Sequence, residues 1–282
     1  MQLPNFLFIG PDKTGSTWIF EYLRQHPQCF IPDAKDIYFF DREYRRGLGW
    51  YADFFAPATA DQIARGEISH DYILSDETAD RIAADLPGVK ILLSMRNPRA
   101  RTVSHYLYLK RSGMTRQPLG EALESFPDLI ENSRYSVLVP RYRARFPEDR
   151  LCCLFFDDLK TDPNGYARQI TDFLGIAPRP AEDVGVVRPA SRARSFALAR
   201  TMKLGAAAAR QMGLQNFVGR VKHGALGRSI YVPIDKSSEA MPSPGELARL
   251  DEIFAPEIDW AEREFGRDLS AWRPRAAVDA EA

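Results

Sequence analysis

The chain has 282 residues, of which 45% are hydrophobic and 11% aromatic, so it is apolar enough for one sizeable globular core. Its 38 lysine and arginine residues balance its 38 aspartate and glutamate residues, which argues against binding to nucleic acid or to an anionic membrane. The first ten residues, MQLPNFLFIG, lack the basic start and long apolar run of a signal peptide, and three cysteines are too few for a disulfide framework. We therefore expect a cytoplasmic protein.

Three short apolar runs predict buried strands: FLFI at 6–9, VKILLSM at 89–95 and LCCLFF at 151–156. A helical pattern follows each run. Pro98 starts and Gly113 follows the second of these helices, while Asp162-Pro163 and Gly175 bracket the third. Uninterrupted apolar strands that alternate with helices predict an α/β fold with a central parallel sheet flanked by helices. Ligands of such a sheet bind at the carboxyl ends of its strands.

The second half of the chain has a different composition. Residues 177–244 are rich first in proline and arginine, then in alanine, then in glycine. We interpret this segment as loops and helices that cover the active site, so that residues 1–282 form a single domain. Residues 246–265 predict an amphipathic closing helix, and residues 274–282 a disordered tail.

The segment FIGPDKTGST at 8–17 has the layout of an anion-binding turn, in which a strand leads through glycines into a helix. Gly10 and Gly15 have the spacing of a Walker A loop, but Ser16 occupies the place of the Walker lysine. The lysine of this loop is Lys13, in the middle of the turn. The groups available to one phosphate are the backbone amides of residues 13–17 and the hydroxyls of Thr14, Ser16 and Thr17.

The loop resembles that of the sulfotransferases that use 3'-phosphoadenosine 5'-phosphosulfate (PAPS), in particular the Golgi heparan sulfate sulfotransferases and their bacterial relatives, whose loop reads K-T-G-T-T. A second match is RNPRARTVS, in which Arg96 and Ser104 have the spacing of the family's 3'-phosphate ligands, a group that ATP lacks. GLGWYADFF at 47–55 and GRSIYVP at 227–233 resemble two further family segments. The R-K-G triplet that cytosolic sulfotransferases use to bind the 3'-phosphate is missing, so Arg228 is only a candidate for that role.

The resemblance implies a P-loop NTPase-like sulfotransferase fold and transfer of the sulfuryl group from PAPS to a hydroxyl of a small-molecule or saccharide acceptor, without a metal. It assigns cofactor binding to Lys13, Thr14, Gly15, Ser16, Thr17, Arg96, Ser104 and Arg228. Sulfuryl transfer needs positioning, stabilisation of the leaving oxygen and a base for the acceptor. Lys13 fits the second role, because negative charge develops beside it.

The expected base lies in ARGEISHDYILSD, which separates the two phosphate-binding segments along the chain. The heparan sulfate type resembles EISHDY in its E-K-[ST]-x-x-Y context, which assigns the base to Glu67. Ile68 stands where that group has a lysine near its substrate, which argues against a polyanionic carbohydrate acceptor. His70 is the second candidate, because cytosolic members use a histidine and an imidazole titrates in the right range. The aromatic residues between 38 and 55 form either an acceptor pocket or ordinary core.

Two alternatives remain open at this point. An ATP- or GTP-dependent kinase-like enzyme is disfavoured by the missing Walker lysine, although LCCLFFDD could supply a magnesium aspartate. A nucleotide-binding module without catalysis is disfavoured because binding alone needs neither Lys13 nor Glu67 in the roles given above. The sequence does not identify the acceptor, distinguish O- from N-sulfation or predict the oligomeric state.

Overall fold

The computed structural model describes residues 1–184, 191–193, 231–233 and 241–274. Its main sheet has five strands, β1 (Phe6–Gly10), β2 (Cys29–Phe30), β3 (Ala64–Ile68), β4 (Lys90–Met95) and β5 (Leu151–Phe155). All neighbouring strands are parallel, in the order β2-β3-β1-β4-β5. The predicted α/β fold with a central parallel sheet is confirmed.

Helices separate and follow these strands. They are α1 (Ser16–Arg24), α2 (Gly47–Ala52), α3 (Asp76–Asp85), α4 (Pro98–Arg111), α5 (Leu119–Ser125), α6 (Asp128–Glu131), α7 (Tyr135–Arg143), α8 (Phe156–Thr161), α9 (Pro163–Leu174) and α10 (Pro244–Phe265). The predicted boundaries of α9 are confirmed: the side chain of Asp162 accepts from the amide of Gly165 at 2.8 Å, and Gly175 ends the helix with φ 75°.

The side chains of β1 alternate between two hydrophobic clusters, one on each face of the sheet. Phe6 and Phe8 pack with residues of α1 and α9, whereas Leu7 and Ile9 pack with residues of α3, α7 and α10. All four side chains are fully buried. Burial of each contributes about 1.5–3 kcal/mol, which explains why the strand is continuously apolar.

The order of the strands brings three chain segments to one edge of the sheet, which we call the carboxyl edge. Leu7 of β1 pairs with Glu67 of β3 on one side and with Ile91 of β4 on the other. The loop at 10–17 therefore lies between the segment that follows β3 and the one that follows β4. Along the chain, β3 lies between the loop and Arg96. In space the order differs, because the loop lies between β3 and Arg96.

A second, small sheet consists of β6 (Ser191–Ala193) and β7 (Tyr231–Pro233), which are antiparallel. β6 lies against α4, the helix that follows Arg96. Most of the predicted cover at 177–244 and of the predicted tail at 274–282 lies outside the described residues, so the single-domain assignment stays a prediction. Within the described ranges, every helix is too short or too polar to cross a bilayer.

Candidate active site

The two glycines of the loop at 10–17 are required by close packing. Gly10 has φ 115°, and a Cβ placed on it would lie 2.0 Å from the carbonyl oxygen of His70. Gly15 has φ 97°, and its Cβ would lie 2.8 Å from a ring carbon of Phe156. Both positions need a left-handed backbone and both lack room for a side chain. The loop is thus held tightly between the ends of β3 and β5.

The loop has unused hydrogen-bond donors where an anion would bind. Gly15 is the N-cap of α1 and supplies no side-chain cap, and within the described chain the backbone amides of residues 13–17 have no backbone acceptor. Ser16 is buried and Thr17 half-buried on the first turn of the helix. Free amides at a helix N-terminus are a ready site for phosphate.

Thr14 contributes less than the sequence suggested. Its hydroxyl is fully buried and donates to the carbonyl of Pro11 at 2.7 Å, while its own carbonyl accepts from the hydroxyl of Ser94 at 2.9 Å. The first bond lies within the turn, and the second connects the turn to β4. Only the amide of Thr14 is left for a ligand.

The ammonium of Lys13 lies on α4. Its Nζ is 3.7 Å from the centroid of the Tyr108 ring, and its backbone has φ 63°, which is strained for a side chain of this kind. Burial lowers the pKa of Lys13 to about 8, although the carboxylate of Asp12 opposes this effect. The side chain is therefore a cation that can share or release its proton near neutral pH.

Arg96 follows β4 and reaches the loop from the opposite side. Its Nη1 donates to the carbonyl of Lys13 at 3.0 Å, and its guanidinium lies 4.9 Å above the Phe156 ring. Its Nε is buried and has no partner among the described residues. Ser104 lies one helical turn before Tyr108, which places both on the face of α4 that contacts Lys13. The structure thus brings Lys13, Arg96 and the Ser104 face together.

His70 follows β3 and completes this edge. Its Nδ1 lies 2.8 Å from Oδ1 of Asp36, and its Nε2 lies 3.3 Å from the hydroxyl of Tyr38 and 3.4 Å from Oδ1 of Asp71. Burial would lower the pKa of His70, but the carboxylates of Asp36 and Asp71 outweigh it and raise the pKa. The side chain remains 22% exposed, so it is accessible to a ligand.

The sequence analysis missed Asp36. Its side chain is buried, accepts from Nζ of Lys35 at 3.1 Å and faces His70. In the described part of the chain, the non-glycine residues with positive φ are Lys13, Asp36 and Tyr38. All three meet at the carboxyl edge, and such backbone strain concentrates at functional sites. The available signal was the charged pair that directly precedes the aromatic run IYFF.

Glu67 lies deeper than expected. It is 1% exposed within β3, neither carboxyl oxygen makes a hydrogen bond of normal geometry, and the hydroxyls of Tyr72, Ser69 and Tyr51 are its polar neighbours. Burial raises the pKa of Glu67 to about 7, against the opposing effect of these hydroxyls. β3 ends at Ile68, so the alternation of side chains along a strand does not determine where His70 points relative to Glu67. The structure puts His70 at the carboxyl edge and Glu67 beneath it.

The aromatic residues of 38–55 are mostly core. Five of them are less than a tenth exposed: Phe39, Phe40, Tyr51, Phe54 and Phe55. Tyr38, Tyr44 and Trp50 are half-buried, and of these Tyr38 contacts His70. Arg228 lies outside the described residues. Within those residues no group of three or more histidine, cysteine or acidic side chains could hold a metal, and the expectation of a metal-free reaction stays a prediction.

A comparison with known protein families identifies the family of the chain. The sequence model of the sulfotransferase domain family matches residues 3–204, which is most of the chain and includes the loop, β3, Arg96 and Ser104. The chain belongs to the sulfotransferase family. Members of this family use PAPS as the sulfuryl donor.

Curated relatives of this sulfotransferase include enzymes named for heparan sulfate. It is 29% identical over 198 residues to human bifunctional heparan sulfate N-deacetylase/N-sulfotransferase 3, a match that covers 63% of this chain and 23% of that protein. It is 29% identical over 188 residues to mouse heparan sulfate glucosamine 3-O-sulfotransferase 3B1, covering 62% and 47%. The chain thus spans less than half the length of either relative.

Solved structures show the same fold. The sulfotransferase from Alicyclobacillus acidocaldarius superposes with a TM-score of 0.70 at 24% identity, covering 97% of this chain and all of that chain. Mouse sulfotransferase SULT7A1, crystallised with PAP, superposes with a TM-score of 0.52 at 17% identity, covering 93% and 88%. The predicted P-loop-like sulfotransferase fold is confirmed.

Proposed function

We propose that this sulfotransferase transfers the sulfuryl group of PAPS to a hydroxyl of a small-molecule or saccharide acceptor. The proposal rests on one arrangement: the partly buried side chains of Lys13 and Arg96 lie beside loop amides that have no backbone acceptor among the described residues. Arg96 donates to the carbonyl of Lys13, so both cations border the amides of residues 13–17. PAPS supplies an activated sulfuryl group on one phosphate and a separate 3'-phosphate. The site offers an anion-binding group for each.

The loop would bind the phosphate that carries the sulfuryl group, and the segment from Arg96 to Ser104 would bind the 3'-phosphate. The amides of 13–17, with the hydroxyls of Ser16 and Thr17, would hold the phosphate that carries the sulfuryl group. Lys13 donates to the leaving oxygen, and this hydrogen bond strengthens as negative charge develops there. Arg96 and Ser104 would hold the 3'-phosphate, because the buried Nε of Arg96 otherwise lacks an acceptor. Lys13 must be charged, so we expect turnover to fall as pH rises through about 8.

We assign the base to His70, oriented by Asp36, and this assignment revises the expectation for Glu67. A base must touch the acceptor hydroxyl, and His70 is accessible at the carboxyl edge whereas the Glu67 carboxyl is enclosed. The acceptor proton passes to Nε2 while Nδ1 donates to Asp36. Because only neutral imidazole accepts a proton, turnover should rise as pH increases through the raised pKa of His70.

Thermal unfolding with nucleotides tests the donor site. PAP should raise the Tm far more than ATP with magnesium, because a ligand at 100 times its Kd stabilises the folded state by about 2.7 kcal/mol. The matched control is adenosine 5'-phosphate, which lacks the 3'-phosphate. Equal Tm shifts with PAP, adenosine 5'-phosphate and ATP would exclude the donor assignment.

A radiolabelled transfer assay with saturating PAPS and a panel of alcohols and oligosaccharides tests the base. We expect His70→Gln to lower turnover by about 10² to 10⁴, and Asp36→Asn to lower it while shifting the acidic limb of the pH profile. Glu67→Gln should remain within a few-fold of wild type. If Glu67→Gln shows the largest loss and His70→Gln little, the base is Glu67.

We further propose that the protein works in the cytoplasm, without a membrane or nucleic-acid partner. Cys29, Cys152 and Cys153 are free thiols, as expected in a reducing compartment, and the charges of the chain balance. Fractionation of cells that express the full-length tagged chain tests the location. Recovery in the membrane pellet, or release of the protein by nuclease treatment, would contradict the proposal.

A further inference from the structure

Asp12 is a carboxylate inside an anion-binding loop, where a negative charge opposes the ligand. It directly precedes Lys13, and its Oδ1 accepts from Nη1 of Arg101 at 2.8 Å and from Nδ2 of Asn132 at 3.1 Å. Nδ1 of His105 lies 3.4 Å from its other oxygen. Three partners from outside the loop thus converge on one side chain.

Arg101 connects Asp12 to a rigid part of the fold. It is fully buried on α4, its Nε donates to the hydroxyl of Ser133, and its Nη2 donates to the carbonyl of Leu129 at 2.5 Å. Burial alone would raise the pKa of Asp12, but Arg101 outweighs it, with His105, and the pKa falls to about 2. The carboxylate is therefore ionised throughout the physiological range.

The position of Asp12 assigns it a role in catalysis through its neighbour. We propose that Asp12 is a positioning residue of the transfer reaction, whose carboxylate anchors the loop on Arg101 and keeps the Lys13 side chain charged. This inference rests on the function proposed above, in which Lys13 donates to the leaving oxygen. Anchoring accounts for the strained backbone of Lys13, which the adjacent ion pair holds in place.

The surroundings of Lys13 explain why a counter-charge is needed. Burial disfavours the ammonium, and Arg111 and Arg101 of α4 together with Lys35 add repulsion. The Tyr108 ring lies against the ammonium. The carboxylate of Asp12 makes the largest charge interaction that favours the protonated form of Lys13. Removal of the carboxylate would leave Lys13 facing three cations.

The test is the titration of Lys13 in Asp12→Asn, a variant that keeps the shape of the side chain and removes its charge. Competitive acetylation with mass spectrometry reports the fraction of free amine at Lys13 as a function of pH, without any need for activity. We expect the midpoint, about 8 in the wild type, to fall by about one unit, which is a tenfold change at a given pH. The alkaline limb of turnover should move with it, and turnover at pH 6.5 should also fall, because the loop loses its ion pair with Arg101.

Asp128→Asn is the matched control, because Asp128 lies 3.6 Å from His105 in the same network but does not adjoin Lys13. It should leave the midpoint unchanged. If Asp12→Asn does not fold, Asp12→Ser makes the same measurement. An unchanged midpoint in a folded variant that still binds PAP would overturn the inference. A lowered midpoint without any change in the pH profile of turnover would support the role of Asp12 in Lys13 protonation and count against the proposed role of Lys13.

Discussion

Arg96 serves both the loop and the expected ligand. One of its nitrogens donates to the carbonyl of Lys13, its plane stacks on Phe156, and its Nε is buried without a partner. A buried donor of this kind costs free energy until an acceptor arrives. The side chain is thus held in place before the ligand binds, and its Nε is available to donate a hydrogen bond to the ligand.

The Arg96 and Ser104 variants test this division. Arg96→Ala and Ser104→Ala should weaken binding of PAP by about 10- to 150-fold, since a charge-assisted contact contributes about 1.5–3 kcal/mol. Affinity for adenosine 5'-phosphate, measured by calorimetry, should change little. Arg99→Ala on the same helix, which removes a 2.7 Å ion pair with Asp251, is the control. Equal weakening of both nucleotides would make Arg96 and Ser104 structural.

Glu67 has a second consequence, for stability. Its pKa is about 7 in the folded state and near 4.5 when the chain unfolds, so folding favours the protonated form. This contribution is fully present below pH 4.5 and is lost as pH rises through about 7. The shift corresponds to about 3 kcal/mol. Urea unfolding should show Glu67→Gln becoming more stable relative to wild type between pH 4.5 and pH 8, while the exposed control Glu121→Gln should not. A constant difference between Glu67→Gln and wild type would mean that this carboxyl stays solvated.

The start of α4 shows how an element positions the site. Asn97 caps the helix by accepting from the amide of Ala100 at 2.9 Å, and its Nδ2 donates to the carbonyl of Trp272 at 2.7 Å. One side chain therefore sets where α4 begins and connects it to the segment that follows α10. Since Arg96 immediately precedes the cap and Ser104 lies on the helix, their separation depends on it.

Substitutions at Asn97 separate these two contributions. Asn97→Ala should lower the free energy of unfolding by about 1–2 kcal/mol, together with the loss of the Trp272 bond. Asn97→Asp keeps the capping acceptor and loses only that bond, so it should lose less. Chemical denaturation of both variants measures the difference. If both lose the same amount, the cap contributes nothing to stability.

At the scale of the whole molecule, residues 266–274 close the fold. The indole nitrogen of Trp272 donates to Asp157 at 2.7 Å, Arg267 binds Asp158 at 2.7 Å, and Leu269 and Trp272 are buried in the core. These contacts join the segment after α10 to α8, at the end of β5. The closing segment thus supports the carboxyl edge from outside the region that the family model matches.

Truncation tests this closing role. A chain that ends at residue 274 should keep the Tm of the full chain. In a chain that ends at residue 265, the free energy of unfolding should fall by about 3 kcal/mol or more, because the buried Trp272 side chain is lost. Trp272→Phe, which keeps the ring burial and removes the indole donor, should fall between them. A chain ending at 265 with an unchanged Tm would show that the segment is dispensable.

The sequence by itself determined the features that depend on neighbouring residues. The strands β1, β4 and β5, the cap and stop of α9 and the anion-binding layout of the loop all follow from apolar runs and from Gly, Pro and Asp at element ends. These signals act over a few residues, because burial, capping and backbone freedom are local requirements. They were sufficient for the fold, whereas the roles expected of Lys13 and Arg96 came from the resemblance to the PAPS-dependent sulfotransferases.

Only the tertiary structure decided which acidic and basic groups share the carboxyl edge. Asp36 meets His70 from 34 positions away, and Asp12 meets Arg101 from 89 positions away. The inward hydroxyl of Thr14 and the depth of Glu67 depend on how the loop, β3 and the aromatic core pack. A motif specifies residue types and spacing, but the end of β3 at Ile68 and the order of the strands determine which side chains meet, because these depend on pairing between distant segments.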